Sequence, residues 1–185
     1  MALDRQHSKR QRGYTLIELV IVVAIMTVIS GFALPGVLGG IQRKGVDGAA
    51  RRVTEDVRLA QSTALTRGIQ ARLIVFDQTG VAANPGFSNV TDATKANMYR
   101  IEMRNSPSAA WPALTDYPGV GSNVLTAWFP LNSDFKGVSV TAGNTLVFNS
   151  QGFLVNSTSP LNVALQGTAS SKTVVTSVIG KTTIQ

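Results

Sequence analysis

The sequence holds no cysteine in 185 residues and a single histidine, His7. The first absence excludes disulfides and thiolate metal sites, so the fold must be held by its core alone, which is compatible with a periplasmic domain. The second leaves no imidazole base beyond position 7, and with it go Ser-His-Asp and Cys-His arrangements. Phosphate-binding glycine loops and EF-hand spacing are absent as well. Asp77, Asp92, Asp116 and Asp134 stand apart in turn-like contexts, where carboxylates serve as turn caps. No enzyme is expected, and no catalytic residue, metal ligand or cofactor. One further absence is continuous: from Leu19 to Ile41 there is no charged side chain.

The chain is organised around that run. A helix over it would be roughly 34 Å long at about 1.5 Å per residue, enough to cross a bilayer core of about 30 Å. Glu18 sits at its N-terminal end, and an ionisable group in a membrane span is costly enough to call for a partner. The formal charge is +7, of which Arg5, Lys9, Arg10 and Arg12 against Asp4 supply three units and leave about +4. Positive residues ahead of a span hold that end in the cytoplasm, so the bulk of the chain should lie on the other side.

The basic leader, Gly13, the aromatic Tyr14 and then TLIELVIVVAIM resemble the class III signal of type IV pilins and type II secretion pseudopilins. The resemblance implies a prepilin peptidase cut between Gly13 and Tyr14 and N-methylation of Tyr14. It also gives Glu18 the role of pairing with the N-terminal amine of a neighbouring subunit and so setting register. Tyr stands where Phe is commoner, and both are aromatic. Physics points the same way: an ordinary signal peptide is cut after its apolar region. Here the cut precedes it, so the helix would survive in the mature protein.

The expected order is a leader over 1–13, a transmembrane and assembly helix over 14–40, an amphipathic periplasmic half over 41–68 and a β-rich domain over 69–185. Gly31 and Pro35 should loosen or kink the helix, since proline lacks an N–H and crowds the preceding turn. Val46, Ala50, Val53, Val57, Ala60 and Ala64 recur at three- and four-residue steps and form one small-residue stripe for a sheet to pack on. Asp47–Arg51 and Arg51–Glu55 have i,i+4 spacing off the stripe. Gly68 should end the helix.

Beyond it the period falls to two, and strands are expected at 71–77, 98–104, 124–131, 138–141, 145–149, 161–166 and 173–179. Ala142-Gly143-Asn144 and Gln151-Gly152 read as hairpin turns. Loops are expected at 79–97 and 105–123, with Trp111, Tyr117 and Trp128 either pinning the second or exposed at a contact face. The fold class is α+β: a long N-terminal helix packed on an antiparallel sheet or sandwich, as in type IV pilins.

RLAQSTALTRGIQARLIV, the step from Phe148 to Gly152 and the closing turn at Gly180 are similar to the GspH/FimT branch of pseudopilins and minor pilins. Ala60 and Gln61 fall where Ala-Arg is usual there, while Ala64, Arg67 and Gly68 agree. The resemblance implies a minor type IV pilin, as a priming or tip subunit, or a type II secretion pseudopilin. Its partners would be other pilins, the prepilin peptidase, the inner membrane and its assembly platform. The protein would be single-pass, with its C-terminal domain in the periplasm before joining a fibre. Some FimT-type proteins bind DNA in transformation. Arg43, Lys44, Arg51, Arg52, Arg58, Arg67 and Arg72 outnumber Asp47, Glu55 and Asp56 by four, which makes DNA a rival partner, with Arg51, Arg52, Arg58 and Arg67 as the contacts. The tail offers only Lys172 and Lys181.

Overall fold

The computed structural model describes residues 14–185 apart from 86, 87, 156 and 169, with the backbone but not the side chains of 32–42. The leader and Gly13 therefore lie outside the described residues. Helix α1 (Leu16–Arg67) continues uninterrupted through Gly31 and Pro35, even though proline cannot donate to the carbonyl four residues back. It ends as expected: Gly68 takes φ +65 and the Ile69 N–H reaches back to the Ala64 carbonyl at 3.3 Å, a Schellman closure. Among the described residues no helix is long and apolar enough to cross a membrane. The described side chains of the apolar run stop at Gly31, and the rest of it lies outside them.

The chain divides into two compact units between Gly39 and Gly40. In the second unit, α1 is followed by β1 (Gln70–Val75), β2 (Val81–Ala82), β3 (Val90–Thr91), β4 (Met98–Arg104), β5 (Phe129–Pro130) and the short α2 (Leu131–Asp134). Then come β6 (Ser139–Gly143), β7 (Leu146–Phe148), β8 (Leu161–Gln166), β9 (Ser171–Thr176) and β10 (Thr182–Ile184). Two antiparallel four-stranded sheets result, ordered β5-β4-β1-β7 and β10-β9-β8-β6, with β2 and β3 as a separate ribbon. All six stripe residues, with Ala49, are fully buried and share one core with Leu73, Ile101, Val140, Phe148 and Val163. Their small side chains let both sheets approach the helix closely, and each buried valine contributes about 1.5–3 kcal/mol. Arg52 pairs with Asp56 at 3.0 Å, in place of the expected Asp47–Arg51 and Arg51–Glu55 pairs. Tyr99 then donates its hydroxyl to Asp56 at 2.6 Å, tying the helix to β4.

Three readings need correction. The 124–131 strand shrinks to an isolated bridge at Val124 and the two-residue β5, because Pro130 has no N–H for a ladder and Leu131 starts a helical turn. Ala142-Gly143-Asn144 is no hairpin turn. Gly143 ends β6 while β7 pairs in the other sheet, so the chain crosses between layers there. A Cβ on Gly143 would lie 2.5 Å from the Val75 carbonyl oxygen, so its smallness serves a close backbone crossing. The polar strand β10 was not anticipated at all. Gln151-Gly152 does turn, with Asn149 and Phe153 joined at 2.9 Å.

The loop after β4 folds onto the face of the first sheet that looks away from α1. Alternation sends Tyr99, Ile101 and Met103 into the core and turns Arg100 and Glu102 the other way, yet both are fully buried. One carboxylate serves two guanidiniums: Arg72 Nε reaches Glu102 Oε2 at 2.6 Å and Arg100 Nε reaches Oε1 at 2.6 Å. Arg100 also donates to the carbonyls of Ala113 and Asp116, each at 2.7 Å, and Trp128 Nε1 donates to Leu114 at 3.1 Å. Trp111 lies 4.3 Å from the Arg72 guanidinium and Trp128 4.3 Å from that of Arg100. Burial lowers the Arg72 pKa, with Glu102 opposing the shift. Trp111 and Trp128 thus pin the loop, and Tyr117 is exposed.

Candidate assembly site

Thr15 and Glu18 have the Thr-x-x-Glu spacing of a capping box, and the structure forms one. Glu18 Oε2 accepts the Thr15 N–H at 2.9 Å and its hydroxyl at 3.2 Å, while Thr15 Oγ1 accepts the Glu18 N–H at 3.3 Å. Glu18 Oε1 takes no part in these bonds. The part played by Thr15 escaped the sequence reading, although the spacing was legible. Tyr14 immediately precedes the cap and is exposed.

Every described side chain from Tyr14 to Gly31 is exposed, and Leu16, Leu19, Val23 and Ile29 are each more than half so. A helix that is apolar all round needs an apolar environment on every side, either lipid or other helices. Nothing lies within 4 Å of where a Gly31 side chain would begin.

The four arginines named as anion contacts do not gather. At about 100° per residue, Arg51 and Arg58 share a face, Arg52 is about 100° round, and Arg67 is roughly 160° away. Arg52 is engaged with Asp56 and lies 5.1 Å over the Phe129 ring. Arg72, counted in the basic surplus, is buried against Glu102. Among the described residues no three acidic, His or Cys side chains could hold a metal.

The positions behind the second resemblance do meet. Gly152 (φ +77) and Gly180 (φ +83) form two turns that press on the same helical residue, Gln61, whose amide donates to the Gly152 carbonyl at 3.0 Å.

The prokaryotic N-terminal methylation motif matches residues 8–34, which include the capping box and the start of the apolar helix. The major component PilA4 of the type IV wide pilus of Thermus thermophilus is 28% identical over 116 residues, 60% of this chain and 87% of that protein. The chain thus carries the N-terminal methylation motif and is similar to type IV pilus subunits. A second pilin relative, the type IV major fimbrial protein FimA of Dichelobacter nodosus, is 31% identical over 115 residues, 62% of this chain and 61% of FimA, so the match spans about three fifths of its length. The minor pseudopilin EpsH from the type 2 secretion system of Vibrio cholerae matches at TM-score 0.45 and 11% identity, over 76% of this chain and 95% of that one, too slight a likeness to build on. The helix-first α+β architecture of this pilin-like chain is the one expected from its sequence.

Proposed function

We propose that this protein is a precursor subunit of a type IV pilin-like fibre, assembled from the inner membrane, and that it serves as a minor pilin in a priming or tip position. The observation that carries the reading is the exposed, all-round apolar first half of α1 with Glu18 in its first turn. Cleavage between Gly13 and Tyr14 by a prepilin peptidase, followed by N-methylation of Tyr14, would release the helix for packing against those of sister subunits. The capping box engages Glu18 Oε2 and leaves Oε1 to meet the incoming amine of the next subunit. A paired charge in hydrocarbon at best breaks even energetically, so the pair sets register more than it adds stability. Gly31 and Pro35 give the helix a soft point on leaving the bilayer, with 40–185 on the periplasmic side. The dispersal of Arg51, Arg52, Arg58 and Arg67 weighs against a DNA-capturing role.

The test is deletion of the gene, with surface pili counted by electron microscopy and secreted enzymes assayed alongside. Pilus loss with normal secretion supports the reading. Normal pili with lost secretion would make the protein a pseudopilin instead. In a complemented strain, Glu18→Ala should be processed yet stay out of sheared fibres. Normal incorporation would sink the register argument.

A further inference from the structure

A sheet edge left open is a template for another strand, and folded proteins usually cover it. Here the edges are treated unequally. The outer side of β6 is covered by the loop after β1: Gln78 donates to the Val140 carbonyl at 2.8 Å, and Asn97 Oδ1 accepts the Val140 N–H at 2.8 Å. The outer side of β7 is met by Val155, which donates to the Val147 carbonyl at 2.9 Å. β5, two residues long, is too short to template anything. That leaves β10, outermost in its sheet.

Its register says which groups face out. Thr173 and Gln185 exchange hydrogen bonds of 3.0 and 2.9 Å, and the Ser177 N–H reaches the Lys181 carbonyl at 2.9 Å. Alternation along an antiparallel pair then turns the N–H and C=O of Thr182 and Ile184 away from β9. Beside this edge runs an open groove of about 500 Å³ lined by Arg58, Gln61, Ile179, Gly180, Lys181 and Thr182. Among the described residues neither Arg58 nor Lys181 forms an ion pair, and Ile179 is 67% exposed.

We propose that β10 is a docking edge for an extended, acidic segment of a partner protein, which joins the second sheet as an added strand. Its backbone pairs with Thr182 and Ile184, its carboxylates meet Arg58 and Lys181, and its apolar residues rest on Ile179. Charge selects this occupant. Two copies of β10 brought edge to edge would set these cations against each other. Nucleic acid affinity grows with the number of phosphates neutralised, and two cations beside an exposed isoleucine and unpaired backbone groups are a poor match for it.

The experiment uses the full chain in detergent micelles and a fluorescent peptide of alternating Glu and Val. Its controls are a Lys-Val peptide and a single-stranded DNA oligonucleotide. The Glu-Val peptide should bind saturably and slow amide exchange at Thr182 and Ile184. The double reversal Arg58→Glu/Lys181→Glu, at exposed side chains outside the core, should weaken binding roughly tenfold. Ile184→Pro, which removes an outward N–H and no inner ladder bond, should weaken it too. The inference is overturned if the Glu-Val peptide does not bind, if the Lys-Val peptide binds equally, or if the double reversal leaves affinity unchanged. Tighter binding of the oligonucleotide would assign the groove to nucleic acid, and protection of β10 by self-association would assign it to a second copy. Fibre incorporation is not a readout here, so failure leaves the reading of the N-terminal helix untouched.

Discussion

Replacing Glu102 by Gln removes the anion that two buried guanidiniums share. Glu102 is fully buried, as is Arg100, and Arg72 is 5% exposed, so water cannot take the carboxylate's place. The amide keeps one acceptor oxygen and turns an NH2 toward the other arginine, setting donor against donor. Breaking a buried pair by neutralising one partner costs about 3–5 kcal/mol, at least a fifth of the roughly 5–15 kcal/mol that holds a domain together. With a urea slope of about 1–3 kcal/mol per molar, the unfolding midpoint should fall by at least about 1 M. The assay is built in: the two tryptophans, Trp111 and Trp128, stack on Arg72 and Arg100, so their emission follows the clamp through a urea titration. Adding Arg72→Met to Glu102→Gln should cost less than Arg72→Met alone, because the orphaned cation leaves with its side chain, a coupling of about 0.5–3 kcal/mol. A loss below about 1 kcal/mol for Glu102→Gln, the range of exposed pairs, would refute the claim that the network is a dry, single-anion clamp.

Gly180→Ala should lower the melting temperature by several degrees, since its Cβ would run into the Gln61 amide and lie 2.5 Å from the Gly152 carbonyl oxygen at φ +83, a strain of about 1–3 kcal/mol. An unchanged melt would mean that the two turns can move apart freely. Burial, then the bond to Asp56, pushes the Tyr99 pKa well above its ordinary value near 10. The stability tied to that shift is complete below about pH 10 and drains away as the pH climbs further, because the unfolded phenol ionises first. Denaturant midpoints measured on both sides of pH 10 should show this decline, and Tyr99→Phe should flatten it; equal slopes would rule out the linkage. Thr15→Ala should cost about 0.5–2 kcal/mol at the helix start, seen as faster amide exchange in the first turn, while fibres still take up the subunit. Were Thr15→Ala excluded as fully as Glu18→Ala, the cap rather than the carboxylate would be the assembly determinant.

Local pattern was enough for α1, its buried stripe and its stop, because helix period, small side chains and a glycine at the C′ position act within a few residues of one another. The same holds for β1, β4 and β8, whose alternation matched the strands formed, and for the N-terminal signal, where glycine, an aromatic, Thr-x-x-Glu and an uncharged run coincide. Long-range packing decided the rest. Arg72 counts with the basic surplus in sequence, and only the folding of 105–128 over that sheet face made it, with Arg100 and Glu102, a buried clamp. Gly143 looks like a turn until its pairing partners place β6 and β7 in different sheets. The arginines make one basic list in sequence, yet the helix rotates them apart and Glu102 withdraws Arg72 from the surface. β10 is legible as a strand only once β9 lies beside it, because a short polar segment owes its conformation to the ladder it joins. Sequence by itself therefore determined the long helix, most of the strands and the N-terminal motif, since those signals are local. Tertiary structure alone decided which polar groups are dry and which edge stays open, since both depend on what another part of the chain covers.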